Sequence, residues 1–246
     1  MNHFKLCWTV LIIFSGILLY GCKGNTIKGE GKKSGIILTV PAFDELDISL
    51  LSKAIIHVEP GATQSVELWG YENHLRHIKS KTKKNKLCVY SDLDDDWQFG
   101  NNNENTLKIT VPSLSALSIG GAADAWISGN LTGDDFKLDI SGSGKVNIDN
   151  LNVTDFSTVV SGSGNINIKG GSVKNANYQV NGSGKITAYP LQTSELFTSI
   201  SGTANAEFTA TEQLTVDING TATVKYKGHP KVTQSISGSG SIVAVN

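Results

Sequence analysis

The sequence predicts an all-β fold: a right-handed parallel β-helix (solenoid) of about 18–21-residue coils, with an antiparallel β excursion capping its N-terminal end. Three observations carry this reading. The first is a recurring phrase, clearest as Ile140-Ser141-Gly142-Ser143-Gly144, Val160-Ser161-Gly162-Ser163-Gly164 and Val180-Asn181-Gly182-Ser183-Gly184. Looser copies begin at Ile119, Ile200, Ile218 and Ile236, so the leading glycines fall at 121, 142, 162, 182, 202, 220 and 238. A fixed period of this size is the mark of stacked coils. The second is that apolar residues form columns: Ile119, Ile140, Val160, Val180, Ile200, Ile218 and Ile236 in one, Ala125, Val146, Ile166, Ile186, Ala206, Val224 and Ile242 in another. Polar residues such as Asn147, Asn167 and Thr187 alternate with the second set, which is the period of a strand with one face inward and one outward. The third is that no helical stretch separates the copies, so equivalent strands stack directly, about 4.8 Å apart. Right-handedness follows from the strong preference of parallel crossovers. A polar column (Ser141, Ser161, Asn181, Ser201, Asn219, Ser237) marks the corner as a candidate hydrogen-bonded ladder.

Taken from the N-terminus, residues 1–21 read as a lipoprotein signal peptide: Lys5 precedes an apolar run that is short for a membrane span and ends at Leu19-Tyr20-Gly21-Cys22. Cys22 is the expected lipid attachment site. Several acyl chains on one residue would hold the protein stably, each buried methylene contributing about 0.8 kcal/mol. Residues 22–35, rich in Gly, Lys and Ser, read as a flexible linker. Cys7 leaves with the signal and Cys22 is acylated, so Cys88 remains alone and no intramolecular disulfide is expected. Within Leu87-Cys88-Val89-Tyr90 it reads as a small buried hydrophobe.

The folded part is expected over residues 36–246. Val40-Pro41-Ala42-Phe43-Asp44-Glu45-Leu46-Asp47-Ile48 aligns without gaps on Val111-Pro112-Ser113-Leu114-Ser115-Ala116-Leu117-Ser118-Ile119, so the entry to the repeats is written twice. This places a first coil at 40–60, an excursion at 61–110 and the repeat coils at 111–246. In the excursion, Pro60-Gly61 signals a turn, 65–69 a strand, 71–78 a single helical turn, 79–90 two arms around Lys83-Lys84-Asn85, and 106–111 a further strand. An antiparallel patch there would cover the open first coil, as terminal repeats of solenoids do.

These features resemble the family described as putative auto-transporter adhesin, head GIN domain. The matching residues are the Phe43 to Ile48 entry, the Val58 to Leu68 hairpin region and the Ser-Gly-Ser-Gly coils from Leu117 onward, so the resemblance covers residues 40–246. It departs at Leu50-Leu51-Ser52, where the small-residue corner is replaced. The resemblance implies adhesion and a Gram-negative envelope setting. The matching residues themselves are structural glycines and core positions.

Chemistry is sparse. With a net charge of −1 and 17% charged residues, no field suited to nucleic acid arises. Gly142-Ser143-Gly144-Lys145 lacks the spacing of a phosphate loop and runs into a strand. His74 and His77 could pair on a helical turn but have no third ligand at a familiar spacing, and solvent-facing histidines are the better reading. The acidic run Asp92, Asp94, Asp95, Asp96 does not match a calcium loop and reads as solvated. No cofactor or metal is expected.

A glycan-cleaving enzyme needs converging carboxylates. The outward column Ser118, Asp139, Val159, Gln179, Ser199, Asp217, Ser235 offers two acids four coils apart, about 19 Å, so no enzyme is expected. The aromatic candidates are Trp69, Trp97 and Trp126, with Trp126 and Trp97 as the ligand-binding choices. Trp126 is either an exposed platform or packed against the cap.

The expected function is a lipid-anchored outer-membrane protein, periplasmic or surface-exposed, whose solenoid surface binds a glycan or a protein. The alternative is a structural, self-assembling envelope protein; a polysaccharide-active enzyme comes last. The flat, charge-poor last coil is expected to support a weak homodimer. Replacing Cys22 by Ser is expected to release the protein from membranes without changing its circular dichroism. Persistence in the membrane pellet after a carbonate wash would exclude lipid anchoring.

Overall fold

A computed structural model describes residues 25–50, 53–93, 97–100 and 105–245. The signal segment, Cys22, Leu51-Ser52, Asp94 to Asp96 and the side chain of Trp97 lie outside the described residues. The chain is nearly all β and winds a solenoid of about six turns, with antiparallel strands at its N-terminal end.

The strands in chain order are β1 (Asn25–Ile27), β2 (Lys33–Ile37), β3 (Glu45–Ser49), β4 (Lys53–Val58) and β5 (Ser65–Tyr71). After the short helix α1 (Glu72–Leu75) come β6 (Ile78–Lys83), β7 (Lys86–Ser91), β8 (Trp97–Phe99) and β9 (Thr106–Val111). The repeats supply β10 (Ala116–Ile119), β11 (Asp124–Gly129), β12 (Leu131–Ile140), β13 (Ser143–Ile148), β14 (Leu151–Val160), β15 (Ser163–Ile168) and β16 (Gly171–Val180). The last are β17 (Ser183–Ile200), β18 (Thr203–Ile218), β19 (Thr221–Lys227), β20 (Lys231–Ile236) and β21 (Ser239–Ala244).

Two long parallel ladders run the length of the stack. The first is β7-β3-β10-β12-β14-β16-β17-β18-β20, pairing the C-terminal halves of the long strands. The second is β9-β4-β11-β13-β15-β17-β18-β19-β21, where the N-terminal halves of β17 and β18 take part. The N-terminal residues of β12, β14 and β16 form a third, shorter side.

In-register stacking turns the sequence columns into core columns. Leu46, Leu117, Leu138, Thr158, Tyr178, Thr198 and Val216 follow one another rung by rung, all fully buried. Next to them, Phe136 stacks on Phe156 at 5.9 Å, Phe156 meets Tyr178 edge-on at 5.4 Å and Tyr178 tilts onto Phe208 at 4.6 Å. Such rings add packing energy beyond the area they bury. The Tyr178 hydroxyl is buried without a partner in the protein, and burial raises its pKa. The Thr158 and Thr198 hydroxyls on the adjoining rungs are likewise unpartnered.

The corner explains the glycines. Each corner carbonyl accepts the N–H of the next rung: Gly142 O from Ser163, Gly162 O from Ser183 and Gly182 O from Thr203, each at 2.9 Å. The next corner residue passes directly over that carbonyl, and a Cβ at Gly162, Gly182 or Gly202 would overlap it. The expected polar ladder is therefore carried by backbone groups, such as Ser161 N to Ile140 O and Asn181 N to Val160 O, and the Ser141 hydroxyl adds a 3.5 Å contact to Ile119 O.

The excursion differs from expectation in one respect. It is not only a cap: β7 pairs in parallel with β3, and β9 with β4, so the excursion adds one rung to both ladders beneath the 40–60 coil. The antiparallel cap comes one layer further out, with β5 on β9, β2 on β5 and β6 on β7. Covering a terminal rung in this way blocks edge-to-edge association.

The linker reading of 22–35 is corrected over its described part. β1 pairs with β8, and Lys33 opposes Tyr71 across the β2–β5 pair. Between them, Asn73 takes the Glu30 N–H at 3.0 Å and donates to Lys28 O at 2.7 Å, which ties the segment to α1. The composition is that of a free linker, but the edges of β5 and β8 and the Asn73 amide supply partners.

Replacing Gly182 by Ala is expected to cost about 2–3 kcal/mol, because backbone must move to admit the new methyl group. Gly184→Ala is the control: its Cβ would meet Val180 Cγ1 at 3.3 Å, with Val180 Cγ2 at 3.7 Å and Gly164 O at 3.8 Å in ordinary contact. Its expected cost is under about 1 kcal/mol. Equal melting temperatures for the two variants would refute the close-approach account of the corner.

Candidate ligand-binding faces

On each ladder every second residue points outward, so identical rung positions form columns of exposed side chains at about 4.8 Å spacing. Among the described residues, hollows of about 440 and 400 Å³ lie on two such faces.

The first lies on the outer side of the ladder through β12, β14, β16, β17 and β18. Asp135, Asp155, Asn175, Glu195 and Gln213 are in register in one column, and Lys137, Ser157, Asn177, Phe197 and Thr215 in the next. Between them the inward column reads Phe136, Phe156, Ala176, Leu196, Leu214. The groove so formed has a volume of about 440 Å³. Asn175 donates to Asp155 Oδ1 at 2.7 Å, which fixes both side chains along the groove. Asn177 Oδ1 is buried without a partner in the protein, and Phe197 is half-buried.

Sequence reading did not find this face. The outward column through Asp139 and Asp217 misses the acids, which repeat at 135, 155 and 195, four residues earlier along the coil. The signal was present in the 20-residue spacing, but the apolar columns that set the register did not single it out.

The second face lies outside the other ladder. One column reads Lys53, Asp124, Lys145, Asn165, Lys185, Asn205, and the next reads Ile55, Trp126, Asn147, Asn167, Thr187, Glu207. Trp126 is half-buried on the outer side, with the Lys53 ammonium 4.9 Å from its ring centre. On the adjoining rungs it is in register with Ile55 and Asn147. Beyond it a hollow of about 400 Å³ is lined by Lys145, Asn147, Asn165, Ile166, Asn167, Lys185 and Thr187. Asn167 donates to Asn147 Oδ1 at 3.3 Å. Asn147, expected as an outward residue in solvent, is only 6% exposed, and its Nδ2 has no acceptor.

The other expected candidates are dispersed. The Trp97 backbone pairs with Asn25 in the β1–β8 ribbon, away from Trp126 in the pairing scheme. Trp69 is 40% exposed on β5, with Lys108 5.9 Å from its ring. His74 is not solvent-facing: it is fully buried, with Nε2 3.1 Å from Ile27 O, Nδ1 3.3 Å from Asn105 and its ring 4.8 Å from Phe99. His77 instead meets Asp92 at 3.0 Å. Hydrogen bonds from Lys79 and His77 hold the Asp92 carboxyl below its ordinary pKa. Burial, with Glu207 nearby, raises the Tyr189 hydroxyl above its own. Cys88 is half-buried and points away from the core side chains Leu87 and Val89, so it is not the buried hydrophobe expected.

The fold is shared with known structures. The chain is similar to a putative adhesin from Bacteroides fragilis (24% identity, TM-score 0.83), with 89% of this chain and 100% of that one covered. It is similar to a putative adhesin from Parabacteroides merdae (21%, TM-score 0.69) and to a putative lipid binding protein from Parabacteroides distasonis (21%, TM-score 0.68); each match covers 90% of this chain and 100% of the other. At these identities the likeness concerns the fold. No curated protein matches the chain. A family model matches residues 42–230, over the double entry motif and the glycine-cornered coils, and the chain belongs to that family, putative auto-transporter adhesin, head GIN domain.

Proposed function

We propose that this protein is a lipid-anchored envelope adhesin that holds an uncharged glycan chain in the groove between Asp135 and Thr215. The observation that carries this reading is the composition of the groove. Carboxylates (Asp135, Asp155, Glu195) and amides (Asn175, Asn177, Gln213) repeat along successive rungs beside the half-buried ring of Phe197. Carboxylate and amide oxygens accept hydrogen bonds from sugar hydroxyls, and an aromatic ring covers the C–H face of a pyranose. The three acids disfavour an anionic chain. Five rungs offer roughly 19 Å of track, which suits an extended polymer better than a compact metabolite. Family membership supports an envelope location, and the Gly21-Cys22 signal supports the anchor.

The test is binding of full-length protein, solubilised in detergent, to an array of neutral glycans. Phe197→Ala and Asp155→Ala are each expected to weaken the best glycan at least tenfold, about 1.4 kcal/mol. Failure to retain any neutral glycan, or retention indifferent to both substitutions, would overturn the reading.

A second reading is self-association. β20 and β21 each pair on one side only among the described residues, and Val232, Ile236 and Val243 are 37%, 41% and 42% exposed there. Paired strand edges from two copies would cover these residues and satisfy the free backbone groups. Light scattering over a concentration series is expected to show a weak homodimer that Val243→Lys abolishes. A monomer at high micromolar concentration, unchanged by the substitution, would exclude it.

A further inference from the structure

We propose that the second face binds an acidic glycan, seating a carboxylate or sulfate of the chain between Lys145 and Lys185. The inference goes beyond the groove: it concerns the other ladder, other residues and a ligand of opposite charge. Lys145, Asn165 and Lys185 are in register on consecutive rungs, so the two lysines stand about 9.6 Å apart along the stack with an amide between them. Both are exposed, and neither has a carboxylate within 4 Å among the described residues. Four lysines are tied to carboxylates: Lys169 to Asp149 at 2.8 Å, Lys86 to Glu45 at 3.2 Å, Lys79 to Asp92 at 3.1 Å and Lys108 to Glu67 at 3.7 Å. No carboxylate lines the hollow; Asp124 and Glu207 stand one rung outside it at either end. The Lys53 ammonium over the Trp126 ring adds a further positive charge beyond Asp124.

An independent observation points to the same ligand. Asn147 lines the hollow, nearly all of its surface is buried, and its Oδ1 is already engaged by Asn167. Its Nδ2 is left as a buried donor with no acceptor in the protein. Such a group costs stability until an acceptor arrives, and an anionic oxygen is the strongest acceptor available. Asn165, Asn167 and Thr187 around it present the donors and acceptors that sugar hydroxyls use. A membrane surface is the less suitable partner: the exposed large hydrophobics Ile36, Ile37, Trp69, Tyr90, Val232, Ile236 and Val243 all lie outside the hollow, so nothing there enters acyl chains.

The experiment compares four probes on full-length protein in detergent: an oligogalacturonate, its methyl ester, inorganic phosphate and vesicles containing phosphatidylglycerol. The oligogalacturonate is expected to bind at least tenfold more tightly than its uncharged ester, and less tightly as salt rises. Lys145→Gln with Lys185→Gln, both solvent-exposed changes that spare the core, should weaken it at least tenfold, and Asn147→Asp should do so through like charge. Phe197→Ala should leave it unchanged, which separates this site from the groove: loss of either ligand class can occur without the other. A thermal melt of each variant checks folding. The proposal is overturned if the ester binds equally well, if the double lysine variant binds like the parent, or if only phosphate or the anionic vesicles bind.

Discussion

The structure depends on one contact: the carbonyl at each corner glycine accepts an N–H from the next rung while the next corner passes over it. That contact holds successive coils in register and leaves no room for a Cβ. Gly162 O taking Ser183 N at 2.9 Å is one link, and Gly202 O taking Thr221 N at 2.9 Å is another. Because this link recurs at the same place in each coil, strand residues either side of it have nowhere to slip. A shift by one residue would turn every inward side chain outward. The apolar columns then fill the interior, but the corner decides which residues those columns contain.

Registration also governs the exterior. A residue type repeated at the coil spacing becomes a row of like groups about 4.8 Å apart. Such rows are costly if they are charged and close, and the protein relieves them in two ways. Asn175 interrupts the acidic column and donates to Asp155, and Asn165 separates Lys145 from Lys185. The relief is partial: Asn175 separates Asp155 from Glu195, whereas Asp135 and Asp155 remain on adjoining rungs. The interior shows the reverse strain: Thr158, Tyr178 and Thr198 place hydroxyls without partners in consecutive core rungs, beside the rings that close-pack this part of the stack.

What was legible in the sequence followed from repetition. The Ile119 and Ala125 columns, the glycine corners and the entry at Val40 repeated at Val111 all carry their register in the chain itself. The pairing of β7 with β3 and of β9 with β4 had no repeated phrase to announce it, because these rungs are inserted out of chain order. Burial of individual polar residues was equally hidden. His74 sits between Ile27 O, Asn105 and Phe99, and Asn147 is covered by neighbours from adjoining rungs, so neither exposure follows from alternation along one strand. The docking of residues 25–37 against β5, β8 and α1 was masked by a composition typical of linkers. The acidic groove was readable in principle, since Asp135, Asp155 and Glu195 keep the coil spacing. Finding it needed every outward column to be inspected, because outward positions carry no apolar signal.

Two faces of opposite charge on one thin body raise the question of whether they act on each other. Sheets pack about 10 Å apart, and outward side chains add to this, so charges on the two faces stand roughly 20 Å from one another. At that distance a unit pair in water interacts by about 0.2 kcal/mol, and physiological salt, with a screening length of about 8 Å, reduces this further. Field coupling between the groove and the lysine face is therefore far below the thermal energy. On the readings proposed above, each face would bind through its own column of side chains, and a change at one outward position would alter a single step of one track.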